Sequence, residues 1–185
     1  MTDPIPFVTP AEWSAWLAQT DATECWMLLH KKASGLPSIT WEQAVIEALA
    51  HGWIDGVRKS VDDTSWLQRF TPRKPGSAWS QKNIAHTEKL IAEGRMQSAG
   101  MAQVTLARAN GRWDTAYFGG AKATPPQDFL DAVAASPKAT DGLAKLNTTN
   151  CFAIYYRLAT AKRPETRARR MADYLAMLER GAALF

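Results

Sequence analysis

Apolar positions recur along the chain with two spacings, and the change between them divides it. Thr9-Pro10-Ala11-Glu12 offers an N-cap, a proline at the first helical position and an acid for a capping box. Trp13, Trp16 and Leu17 follow at i, i+3 and i+4, one face of a helix. The short apolar run Cys25–His30 between loop residues reads as a buried strand. Thr40-Trp41-Glu42-Gln43 is a second capping box, with Trp41, Val45, Ala48 and Leu49 inward and Gly52 suited to the helix exit. Trp53–Val61 and Trp66–Thr71 read as strands, and the polar Asp62-Asp63-Thr64-Ser65 between them predicts a β-hairpin.

Beyond Arg73-Lys74-Pro75-Gly76 the period is helical. Ser80 caps a helix to about Glu93, closed by Gly94, and Ser98 starts another that ends near Asn110-Gly111. Gly119–Pro126 is loop-like and the best candidate for a boundary. Thr124-Pro125-Pro126-Gln127 and Ser136-Pro137 each place a hydroxyl before proline, as helix starts do. Asn150 is expected to open the next helix, with Ala153, Tyr156 and Leu158 inward. The last helix starts near Pro164 and carries the stripe Met171, Tyr174, Leu175, Leu178. The expected fold is therefore α+β: a small antiparallel sheet of about three strands packed with helices, then an all-helical C-terminal part. Domain bounds of 1–120 and 121–185 follow, the first with a Trp-rich core.

Composition sharpens this picture at two points. All eight tryptophans lie in the first 113 of the 185 residues, which predicts an aromatic core there and leaves room for an aromatic-lined pocket. The net charge of +4 conceals polarity. Residues 1–24 have a net of −4, whereas residues 157–170 carry six bases against Glu165. Two cysteines far apart, with no CxxC pattern, argue against both a disulfide framework and a structural zinc site. No apolar stretch approaches a membrane span and the N-terminus lacks signal-peptide features, so a cytoplasmic address is expected.

The residues that suggest chemistry cluster between Gly52 and Asn83. Trp53, Asp55, Arg58, Arg69, Arg73, Lys74, Trp79, Ser80 and Asn83 are the candidate ligand-binding residues. Arginine forks bind carboxylates and phosphates, and Ser80 at a helix N-terminus adds N–H donors. Strict alternation places Asp55 and Val57 on one face of a strand and Arg58 on the other. The tryptophans would stack and Asp55 would orient an arginine. A hairpin with solvated arginines and a local Asp55–Arg pair reads equally from the same residues. Enzyme motifs are missing: there is no Gx4GK[ST], GxGxxG, HExxH or GxSxG. Isolated His30, His51 and His86 argue against a metal, and no cofactor is expected. Arg163, Arg167 and Arg170 fall at i, i+4 and i+7, a basic stripe able to meet nucleic acid, but a solvated or internally paired face accounts for it as well.

Gly52-Trp53-Ile54-Asp55-Gly56, Thr71-Pro72-Arg73-Lys74 and Ser77–Asn83 together resemble the YdeI/OmpD-associated family. So do Leu90–Met96 with Ala99-Gly100, Gly111–Asp114 with Ala116-Tyr117, and Ala161–Arg167 with Arg169-Arg170. One departure is Asn147-Thr148-Thr149-Asn150, where the family usually has Asn-Arg before the penultimate helix. The resemblance implies a link to protection against bacteriocins or cationic antimicrobial peptides, and no agreed catalytic residues. A positively charged protein is poorly suited to hold cationic peptides by simple electrostatics. The expectation is a protein that binds a small anionic ligand or an acidic partner. Two alternatives are an enzyme using Asp55 in an Arg/Trp-lined cleft, and nucleic-acid binding through the C-terminal basic helix.

Overall fold

The computed structural model describes residues 3–119 and 123–185. It divides into two compact units, one up to Thr115 and one from Ala116 to Phe185. Together they are α+β, with one four-stranded sheet and eight α-helices among the described residues.

The first unit holds the strands β1 (Ile5–Pro6), β2 (Cys25–His30), β3 (Trp53–Ser60) and β4 (Ser65–Pro72). Its helices are α1 (Pro10–Gln19), α2 (Trp41–Ala50), α3 (Gln81–Ala92) and α4 (Ser98–Ala109). Both expected capping boxes form. Thr9 accepts from the Glu12 N–H at 3.2 Å, while the Glu12 carboxylate accepts from the backbone N–H of Thr9 and Val8. Thr40 and Gln43 repeat the arrangement for α2. The strand order is β1-β2-β4-β3. Three strands pair antiparallel as expected, and β1 adds a parallel edge of two residues, making the sheet mixed. Two residues ending in proline are too short to show alternation, which hid β1 in the sequence.

Directly opposed residues share a face, so the register sorts the sheet. Cys25, Met27 and Leu29 lie opposite Phe70, Gln68 and Trp66. Phe70 on this face meets the fully buried Trp13 of α1, with ring centroids 5.3 Å apart. Phe7, Trp16 and Trp53 complete the aromatic core around Trp13. The Trp13 indole N–H donates to the Ala44 carbonyl at 3.0 Å and so ties α1 to α2. Gly52, with φ of +77°, lets the chain turn sharply from α2 into β3.

The second unit holds α5 (Gln127–Ala134), α6 (Pro137–Ala144), α7 (Thr148–Ala159) and α8 (Pro164–Glu179). Phe129, Val133, Ile154, Leu158, Tyr174, Met177 and Leu178 form its core. Met171 and Leu175 of the expected stripe pack at its margin. Three sequence expectations change here. Helix α5 begins at Gln127 with Pro126 at its cap and no side-chain cap, not at Thr124. Asn150 does not open α7: Asn147 is the N-cap, and its side chain accepts from the Asn150 N–H at 2.9 Å. With the helix started earlier, Asn150, Ile154, Tyr155 and Leu158 face inward, not Ala153 and Tyr156. Part of the expected boundary loop, residues 120–122, lies outside the described residues. No helix among the described residues is long and apolar enough to cross a membrane.

Candidate functional site

The hairpin of β3 and β4 carries an irregularity that alternation could not anticipate. Asp55 pairs with Phe70, but Arg58 pairs with Gln68. Two residues of β3, Gly56 and Val57, thus oppose the single Arg69, which is a β-bulge. The bulge corrects the expected facing: Arg58 lies on the same face as Asp55, because their partners Gln68 and Phe70 are two apart. The buried Gln68 side chain secures the distortion by donating to the Gly56 carbonyl at 2.9 Å.

The nine candidate residues therefore fall into separate places. Trp53 is buried in the aromatic core against Trp13 and Trp16. Asp55 is half-buried on β3. Burial pushes its carboxyl above the ordinary carboxylate range, and hydrogen bonds from its own backbone and Trp41, with the Arg73 charge, oppose that rise. Arg73 is buried, with its guanidinium 3.8 Å over the Trp79 ring and Nη2 donating to the Ala78 carbonyl at 2.8 Å. Trp79 rests in turn against Trp113. Ser80 caps α3 by accepting from the Asn83 N–H at 3.1 Å, so both are engaged with each other. Lys74 is exposed, its backbone N–H held by the Ser77 hydroxyl.

Arg69 stands apart from this group. Its register partner is Trp26, on the face opposite Asp55. Nε and Nη2 reach the same oxygen of Glu24 at 2.8 and 2.7 Å. Arg69 is thus committed to Glu24, while Arg73 is engaged with Trp79 and Ala78. The sequence pattern held no signal for Glu24, forty-five residues earlier.

Arg58 has a different setting. It is exposed, and its guanidinium lies 4.6 Å over the ring of Trp66. Among the described residues no carboxylate pairs with it. The Trp66 Nε1–H is itself buried with no acceptor within reach among the described residues. Lys59, on the other face, lies 4.6 Å over Trp26. These two cation–ring contacts were not legible in the sequence, because only the bulged register brings the cations over the rings. A second cluster was also missed at the start of α2. Glu42 holds Lys82 at 2.8 Å and faces His86 at 3.5 Å, while Lys82 lies 5.4 Å over Trp41.

The C-terminal stripe is largely engaged within its own unit. Arg167 makes a two-pronged contact with Asp128 at 2.7 and 2.8 Å, and Arg170 donates to the Arg157 carbonyl. Arg163 remains exposed at the cap of α8. No group of three or more metal-ligating side chains gathers among the described residues.

An α+β unit with a bulged hairpin, followed by a four-helix unit, is the class that fold and site define. Residues 5–103 match a family described as a domain of unknown function (DUF8412), and the chain belongs to that family. Residues 122–181 match the family described as bacteriocin-protection, YdeI or OmpD-associated, which bears out the resemblance of the sequence over α5 to α8. The motifs between Gly52 and Asn83 that also suggested it fall within the first family's match. No curated protein and no solved structure matches the chain.

Proposed function

We propose that this protein binds an anionic group, on a small ligand or an acidic partner, at Arg58 and Trp66 on the hairpin. The observation that carries the reading is the exposed guanidinium of Arg58, which lies over the Trp66 ring and has no carboxylate partner among the described residues. A guanidinium held over an aromatic face keeps its charge and its in-plane donors, and an anion supplies acceptor oxygens to them. Arg69, neutralised by Glu24, and Arg73, engaged with Trp79 and Ala78, serve the fold in this reading. The bacteriocin-protection description of the second match would then reflect capture of an acidic component, since the chain's charge of +4 disfavours holding a cationic peptide.

Thermal unfolding in the presence of inorganic phosphate, a nucleotide and an acidic peptide tests this. A ligand at one hundred times its Kd stabilises by about 2.7 kcal/mol, and Arg58→Ala removes that gain whereas Arg69→Ala keeps it. An equal gain in Arg58→Ala rejects the site.

A second reading makes Asp55 a general acid or base, supported by the burial that raises its carboxyl and by its Trp41 donor. It requires turnover that Asp55→Asn abolishes and Arg58→Ala leaves in place. Nucleic-acid binding through α8 has less support, because Arg167 and Arg170 are already engaged.

A further inference from the structure

We propose that Ser14 and His51 form a nucleophile–base pair that accepts acyl groups from small neutral esters. The pair is carried by α1 and α2 and lies outside the nine candidate residues. The Ser14 Oγ is 2.9 Å from Nε2 of His51. Ser14 sits in the second turn of α1, next to the buried Trp13 that ties this helix to α2. His51 is the C-cap of α2, and its backbone N–H donates to the Glu47 and Ala48 carbonyls. Two docked helices thus hold the pair, which is firmer support than a loop gives.

A serine hydroxyl is a weak nucleophile until a base within hydrogen-bond reach takes its proton. Neutral imidazole protonated at Nδ1 is such a base, because its Nε2 then accepts from the Ser14 hydroxyl. Burial holds His51 below the ordinary imidazole value, so the ring is neutral at pH 7. Glu47 lies one turn earlier on α2, and its negative charge favours the imidazolium that forms when the proton is taken. Arg95 holds that carboxylate by a charged hydrogen bond. Ser14 is half-buried, and its exposed neighbours one turn away on α1, Ala11 and Ala18, are too small to cover it.

The chemistry follows from these positions. Ser14 Oγ attacks the ester carbonyl carbon, and its proton passes to Nε2 of His51. The bond from that carbon to the leaving oxygen breaks, and the leaving oxygen takes the proton from Nε2. Water then attacks the acyl-serine. His51 takes the water's proton and returns it to Oγ as the carboxylic acid leaves. The sum is one ester and one water giving one acid and one alcohol. The Glu47 charge disfavours an anionic phosphate ester at the same place, which makes a neutral acyl donor the substrate class.

A fluorophosphonate probe and p-nitrophenyl acetate test the pair on the full chain. The probe is expected to leave a phosphonyl group on Ser14, read by mass spectrometry of the α1 peptide, and none there in Ser14→Ala. His51→Gln leaves a hydrogen-bonding side chain beside the hydroxyl but no base. It is expected to slow Ser14 labelling and Ser14-dependent p-nitrophenolate release by about 100-fold or more, the lower end of general-base assistance. No adduct at Ser14, or labelling equally fast in His51→Gln, overturns the proposal. If that variant fails to fold, the pH profile of wild-type labelling decides. The rate is expected to rise with pH below about 6.5 and to level off above pH 7, once His51 has lost its proton. A rate still climbing about ten-fold per pH unit above pH 7 belongs to unassisted ionisation of the hydroxyl and overturns the pair.

Discussion

The two units handle aromatic residues and positive charge in different ways. All eight tryptophans belong to the first unit and all four tyrosines to the second. In the first, Arg58, Lys59, Arg73, Lys82 and Arg108 each lie over a tryptophan ring. In the second, Arg167 is matched by Asp128 and Arg170 by a backbone carbonyl. An aromatic face attracts a cation without cancelling its charge, whereas a carboxylate cancels it. Of the first unit's cations, Arg58 and Lys59 are exposed and have no carboxylate partner among the described residues, whereas Lys82 is held by Glu42 and Arg73 is buried; the second unit has spent most of its stripe on itself. Sequence charge alone points the other way, since the densest basic run is C-terminal.

The aromatic division also gives each unit its own optical reporter, and the comparison can be broken with it. The largest effect is expected from Trp13→Ala. Trp13 is fully buried, touches four aromatic rings and donates to Ala44, so its loss costs about 4 kcal/mol, within the range for large core truncations. Denaturant unfolding followed by tryptophan fluorescence measures it. Gly142→Ala does the same for the second unit. A Cβ there would lie 2.2 Å from the Leu178 carbonyl oxygen, where α6 crosses α8 backbone to backbone. A cost of about 3 kcal/mol, the upper end for overpacking, is expected in the tyrosine-detected transition. Equal movement of both transitions would contradict the division. Thr40→Ala removes one capping box and is expected to lower stability by about 1 kcal/mol, read from the tryptophan transition.

Acidification sharpens the contrast further. Burial holds His51 and His86 below the ordinary imidazole value, with the nearby Lys82 also lowering His86, while the acidic neighbours Glu47 and Glu42 oppose. The unfolded chain then takes up protons at higher pH than the folded one. Stability present above about pH 6.5 is lost as pH falls through that value toward the depressed ones. His51 and His86 both lie in the first unit, so the tryptophan-detected melting temperature is expected to drop between pH 7 and 5 while the tyrosine-detected one holds. In the second unit the lowered carboxyl is Asp128, held down by Arg167, and its contribution disappears only at more acidic pH. Asp55 has the opposite sign. Its raised carboxyl favours the fold below the normal aspartate range, and that benefit is lost as pH rises through the folded value. Asp55→Asn is therefore expected to raise the melting temperature at pH 7 and to leave it unchanged near pH 3.5, a small effect that calorimetry resolves.

What the sequence by itself determined is what local chemistry decides. Thr9 with Glu12 and Thr40 with Gln43 fix where α1 and α2 start, since each pair satisfies backbone donors within four residues. Strand β2, the hairpin, Ser80 at α3 and the apolar stripe of α8 were legible for the same reason. The candidate site was legible as a segment and not as an arrangement. Trp53 and Ser80 are spent on core and capping, and Arg69 on Glu24. Only the tertiary structure decided the rest. The bulge at Gly56-Val57 put Arg58 on the face of Asp55 and over Trp66. The C-terminal Leu184 and Phe185, whose backbone N–H groups donate to it, made Asn150 a buried acceptor and not the expected helix start. Both depend on hydrogen bonds between residues distant in the chain or on one extra residue in a ladder, and neither leaves a period that a sequence can display.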